Sequence, residues 1–156
     1  MLSQQLTLLL YDAKIQDDTS TLLSLSKERN LKMKYSANKK SQIEAKYGFE
    51  EEQIQNKISE INKSKRENVK DGKTDTVDHQ ELLSQYEELK GELNELKNKE
   101  DRELEQIERE ATAYENENDT EQSAVQTDLE AARQDREAIK ENLNQDIEKS
   151  FGYFQQ

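Results

Sequence analysis

Along the second half of the chain the hydrophobic positions advance in steps of four and three. Leu82, Tyr86, Leu89, Leu93 and Leu96 hold the spacing of the a and d positions of a heptad. Leu104, Ile107, Ala111 and Tyr114 repeat that spacing with the phase displaced by four residues, a stutter that locally unwinds a supercoil without ending the helix. Val125, Leu129, Ala132, Ile139, Leu143, Ile147 and Phe151 then follow one face, with Arg136 interrupting it. In the first half Ile43, Tyr47, Ile54, Ile58 and Ile61 keep the spacing through Gly48. The seam is thin over residues 27–42, where Leu31, Met33, Tyr35 and Ala37 are the apolar residues on offer. At the start there are two apolar faces: Leu2, Leu6, Leu9 and Ala13 on one, Leu8, Tyr11, Ile15, Leu22 and Leu25 on the other. So wide an arc predicts contact with more than one neighbour.

Between the halves lies VKDGKTDTVDHQEL, residues 69–82. Asp71-Gly72 is a turn dipeptide, because Gly adopts positive φ without a Cβ clash. A second helix is expected to start there, with Asp78 as its N-cap, Glu81 as capping-box partner and Val77 stapled onto Leu82. There is no proline in the chain to interrupt either arm. The predicted fold is all-α: one long antiparallel helical hairpin, a single coiled-coil domain with arm one at 1–70, the turn at 71–77, arm two at 78–151 and an aromatic tail at 151–156. Two weak points bear on it. Residues 16–20 are polar but lack Gly and Pro, which favours a continuous helix. At 116–120 Asn118 could cap a further helix with Glu121, and the alternative is a break there into a three-helix arrangement that would cover the wide N-terminal face.

Composition agrees with a narrow seam. Hydrophobic residues make up 31%, charged residues 37%, and the mean hydropathy of -1.23 is too low for a layered core. The net charge of -12 is uneven: residues 1–70 hold 13 Lys and Arg against 10 Asp and Glu, residues 71–156 hold 10 against 25. A hairpin centred near residue 73 sets the basic stretch 27–46 opposite the acidic stretch 100–119, which favours antiparallel pairing of the arms. The Leu-rich start has no Lys or Arg before it, so neither a secretory signal nor a membrane span fits. A cytoplasmic protein is expected, with leaderless export left open.

Candidate chemistry is sparse. The chain has no Cys and one His, His79, which removes thiolate nucleophiles and histidine clusters. Asp71, Asp75, Asp78, His79 and Glu81 gather at the turn, but Val69 occupies a place where a calcium loop needs a ligand, so no metal and no cofactor are expected. The basic stretch with Tyr35 and Tyr47 faces an acidic arm that repels phosphate, so nucleic acid is not an expected partner. Paired carboxylates such as Glu87-Glu88 or Glu50-Glu51-Glu52 read as solvated helix faces; neither an enzyme nor a small-molecule substrate is expected. The remaining candidate is the terminal end of the hairpin. Phe151, Tyr153 and Phe154 either form a docking or self-assembly element, or Gly152 lets the tail fold back over Leu6, Leu9 and Leu10.

The C-terminal stretch with Asn144, Ile147, Ser150 and Phe151 resembles the last helix of uncharacterised small bacterial coiled-coil proteins; that resemblance implies a bacterial source and no activity. In architecture alone such a hairpin is similar to the stalk and chaperone proteins of flagellar and type III export. The function expected is that of a non-enzymatic structural or protein-interaction coiled coil that presents its termini to a protein partner or to itself. The alternatives are an export-associated chaperone or stalk and a phage-type scaffolding protein.

Overall fold

A computed structural model describes the backbone of residues 2–155 and the side chains of residues 2–152. It contains two α-helices, α1 (Leu2–Lys70) and α2 (Val77–Gln155), and no strand among the described residues. They pack antiparallel as a helical hairpin. The polar run at 16–20, Gly48 and the 116–120 segment are all helical. The three-helix alternative is therefore corrected: Asn118 does not cap a new helix but lies buried within α2.

The turn follows from its residues. Gly72 has φ 69°, the left-handed region that only Gly enters freely. With it there, the Lys73 N–H reaches the Asn68 carbonyl at 2.8 Å and the Gly72 N–H reaches that of Val69 at 3.3 Å. These two bonds form a Schellman motif, which satisfies carbonyls that α1 leaves open at its end. The expected cap of α2 lies two residues too late. Thr76 is the N-cap: its Oγ1 accepts the His79 N–H at 3.2 Å, and its carbonyl accepts the Gln80 N–H at 3.2 Å. The second arm accordingly starts at Val77 rather than at 78. Val77 is 82% exposed and forms no staple on Leu82, while Asp78 falls in the first turn, where a carboxylate favours the helix dipole.

The hairpin resolves into two compact units, Met1–Met33 with Thr112–Gln156 and Lys34–Ala111. In the first, the arms meet through Tyr11 and Asp135, Leu25 and Asn118, and Arg29 and Asp119. Leu25, Leu129, Ala132 and Leu143 are its buried apolar residues. In the second, they meet through Tyr47 and Glu103, Lys65 and Tyr86, and Asn68 and His79. Tyr47 is buried there, flanked by the half-buried Ile43, Ile54, Ile58 and Ile61 on α1 and the Leu82–Leu96 heptads on α2.

In both units the less exposed positions advance by alternate steps of four and three. The thin stretch is a correction to the sequence reading. Leu31, Met33, Tyr35 and Ala37 face outward, and the seam instead passes through Arg29, Lys32, Ser36 and Lys40, the positions in phase with Leu25 before and Ile43 after. Four apolar residues out of phase cannot turn a continuous helix, because the flanking layers fix its rotation. Lys32 reaches across, its Nζ lying 5.9 Å from the Tyr114 ring centre.

Two steps of four occur in succession at four places, centred on Ser36, Tyr47, Glu100 and Asn118. The second pair of heptads, Leu104 onward, is reached through one of them, as the stutter predicts. All four central residues carry a polar group, and Ser36, Tyr47 and Asn118 are buried. A stutter rotates its central side chain toward the partner helix, where a hydrogen-bonding group can reach a backbone or side-chain partner.

Candidate functional site

Two places hold features beyond the seam. The first is the terminal end. Here α1 turns Gln4, Leu8, Tyr11 and Ile15 toward α2. Gln4 Nε2 donates to Asp146 Oδ2 at 3.4 Å and the Tyr11 hydroxyl to Asp135 Oδ2 at 3.3 Å. The negative charge of Asp135, then burial, then this hydrogen bond push the Tyr11 hydroxyl above its ordinary value. Arg136, which interrupts the apolar run of α2, is ion-paired with Asp12 across the seam. The interruption is thus a cross-helix contact.

About half a turn of α1 away from this face lie Leu2, Leu6, Leu9 and Ala13. They repeat the heptad steps of the seam, yet α2 cannot reach them. Leu2 is 74% exposed, Leu6 55%, Leu9 64% and Leu10, beside them, 71%. The wide arc was expected to meet a second neighbour; within the hairpin it has one, and the other face stays uncovered. No charged residue lies between Leu2 and Tyr11.

Phe151 is 68% exposed. The side chains of Tyr153 and Phe154 lie outside the described residues. The fold-back over Leu6, Leu9 and Leu10 does not occur: α2 stays helical through Gly152 to Gln155, and nothing lies within 4 Å of the place a Cβ on Gly152 would take. Leu6, Leu9 and Leu10 are together on one face; the structure does not bring Phe151 onto it.

The second place is the layer around Glu51 and Glu100. Both are half-buried seam residues on opposite helices. Hydrogen bonding with Glu51 first, then burial, then the charges of Glu51, Asp101 and Glu44 push the Glu100 carboxyl up to about 7. Glu51 Oε1 is buried with no hydrogen-bond partner. One step away the Tyr47 hydroxyl donates to Glu103 Oε1 at 2.9 Å; this bond, with burial and the nearby carboxylates, raises the Tyr47 hydroxyl as well. The expectation of a solvated face for Glu50-Glu51-Glu52 is corrected at Glu51, which lies half-buried in the seam. The signal was the step of four from Leu96 and from Tyr47, which lands on Glu100 and Glu51.

At the turn, His79 is buried, and its Nδ1 lies at hydrogen-bond distance, 3.2 Å, from the Asn68 side-chain amide. No group of three or more His, Cys, Asp or Glu among the described residues is placed to hold a metal ion. Nor is any helix long and apolar enough to cross a membrane. Open grooves run beside α2, such as that lined by Arg133, Glu137, Lys140 and Glu141. Comparison with protein-family models, with curated proteins and with solved structures gives no match.

Proposed function

We propose that this chain is a non-enzymatic protein-interaction hairpin of the cytoplasm, which presents the leucine face of its terminal end to a helix of a protein partner or of a second copy. One observation carries the reading. Leu2, Leu6, Leu9 and Leu10 are exposed on an uncharged stretch of α1 whose opposite face already packs on α2. Leucines needed only for the hairpin would lie in the seam. A second stripe with the same steps of four and three has the form that knobs-into-holes packing uses. Grouped exposed apolar side chains on a strongly charged chain mark an interaction surface. The opposite sign of the arms supports the hairpin as a scaffold that orients this face, not as a nucleic-acid binder. Phe151 is a second apolar group of the same end and extends the surface if the partner spans both helices.

The experiment is site-specific photocrosslinking in cells. A photoreactive residue at position 6 or 9 is expected to yield one defined adduct, with a partner or with the chain itself, and one at the exposed Lys99 none. Leu2→Glu, which alters the face next to the probe, should abolish that adduct while the far-ultraviolet helical signal is kept. Equal labelling at positions 9 and 99, or an adduct indifferent to Leu2→Glu, would overturn the proposal.

A further inference from the structure

We infer that Glu51 and Glu100 form a proton-held clamp in the seam: the two carboxyl groups share one proton that closes this layer, and its loss to solvent loosens the arms locally. The geometry stands on three observations. Both residues occupy seam positions, on opposite helices, at the centre or edge of a stutter that turns them toward each other. The Tyr47–Glu103 bond of 2.9 Å one step away fixes the register that sets Glu51 opposite Glu100, where two facing carboxyl groups can hydrogen-bond only if one of them holds a proton. And Glu51 Oε1 is buried without a partner, so charge on Glu51 is not spread over a second bond.

The surroundings sharpen the effect. Glu100 feels the charges of Glu51 and Glu44 on α1 and of Asp101 on its own helix, and Tyr47, beside it, those of Glu50, Glu100 and Glu103. All of these groups are acids. Lys40 and Lys46 on α1 and Lys97, Lys99 and Arg102 on α2 belong to the same stretch, but among the described residues no ion pair reaches Glu51 or Glu100. Lys46 instead lies over the ring of its neighbour Tyr47, 5.3 Å from the centre. Two carboxylates facing each other across the seam cannot both ionise without repulsion, and no ion pair among the described residues relieves it.

The direction of the pH dependence follows. Glu100 is held at about 7 in the folded chain against an ordinary 4.5. Its contribution to stability is then fully present below the ordinary value and is lost as pH rises through the folded one. Between pH 6 and 8 that predicts up to about a tenfold rise in the opening equilibrium of this layer. Histidine is the side chain whose ordinary value falls in the same window.

The test is hydrogen exchange of the full chain at pH 6 and 8, corrected for intrinsic exchange, with peptides covering residues 44–54 and 96–104. The unmodified chain is expected to exchange several-fold faster at pH 8 in these peptides, and a His79→Gln chain to do the same. In Glu100→Gln the neutral amide keeps a donor in place and the pH dependence should vanish; Glu51→Gln provides the same test from the other helix. Equal protection of the unmodified chain at the two pH values would overturn the inference. So would a pH dependence that survives in both glutamine variants, or one that disappears only with His79→Gln.

Discussion

Asn118 offers the most direct test of how the seam is held. It is 4% exposed; its Nδ2 donates to the Leu25 carbonyl at 3.0 Å, and its Oδ1 accepts from Gln122 Nε2 at 2.6 Å. The Leu25 carbonyl lies in the interior of α1 and already accepts a helical N–H, so losing the amide leaves no unsatisfied backbone group. Two hydrogen bonds at about 0.5–1.5 kcal/mol each are at stake. Asn118→Ala removes both and opens a void, which predicts a loss of about 1–3 kcal/mol. Asn118→Leu loses the same bonds but buries an apolar side chain worth about 1.5–3 kcal/mol, so it should match or exceed the unmodified chain. Urea unfolding followed by circular dichroism, with m unchanged, measures both. An alanine variant as stable as the unmodified chain would mean that the hydrogen bonds do not form. A leucine variant weaker by about 2 kcal/mol or more would mean that the stutter cannot admit an apolar side chain, and the account of the seam given above would fail.

Two further substitutions separate features of the turn from those of the arms. Gly72→Ala places a Cβ on a residue at φ 69° and should cost about 1 kcal/mol, whereas Gly91→Ala, helical and with nothing within 4 Å of its Cβ position, should add about 0.5–1 kcal/mol. Both are read as shifts in the urea midpoint, and a gain for Gly72→Ala would remove the Schellman turn from the account. Thr76→Ala should cost about 1 kcal/mol as the loss of a cap, and Asp78→Ala only a few tenths as the loss of a dipole contact. The reverse order in thermal unfolding would restore the cap to Asp78.

The sequence made the hairpin legible because its strongest signals agreed. Steps of four and three from Leu82 to Tyr114, with the displacement between Leu96 and Leu104, run through the structure unchanged, and Asp71-Gly72 turns where expected. A segment's own apolar residues do not set its rotation. Leu31, Met33, Tyr35 and Ala37 are the most apolar residues of theirs and still face outward, because a helix's rotation is set by the well-packed layers on both sides. The same rule, applied strictly, leads to Ser36, Tyr47, Glu51, Glu100 and Asn118. It also shows why Asn118 looked like a cap: Asn favours helix starts when it competes with the backbone, but here the partner helix supplies a carbonyl. At the turn, Thr76 and Asp78 are both good cap residues, and the choice fell to whichever hydroxyl or carboxylate the Schellman geometry left in position. The outward leucines were visible as a second face, but periodicity cannot tell which of two apolar faces wins the single neighbour available.

The position of Gly72 also sets the order in which the arms find each other. Asn68 and His79 are 11 residues apart in sequence, Tyr47 and Glu103 are 56 apart, and Gln4 and Asp146 are 142 apart. Bringing the last pair together first would close a very long loop, whereas each pair next to one already formed closes only a few residues. Pairing therefore spreads from the turn toward the ends, and the cost of each long-range contact is the small cost of extending its neighbour. The contacts most distant in sequence are the last to be reached, and the leucine face is carried by the part of the hairpin that pairs last.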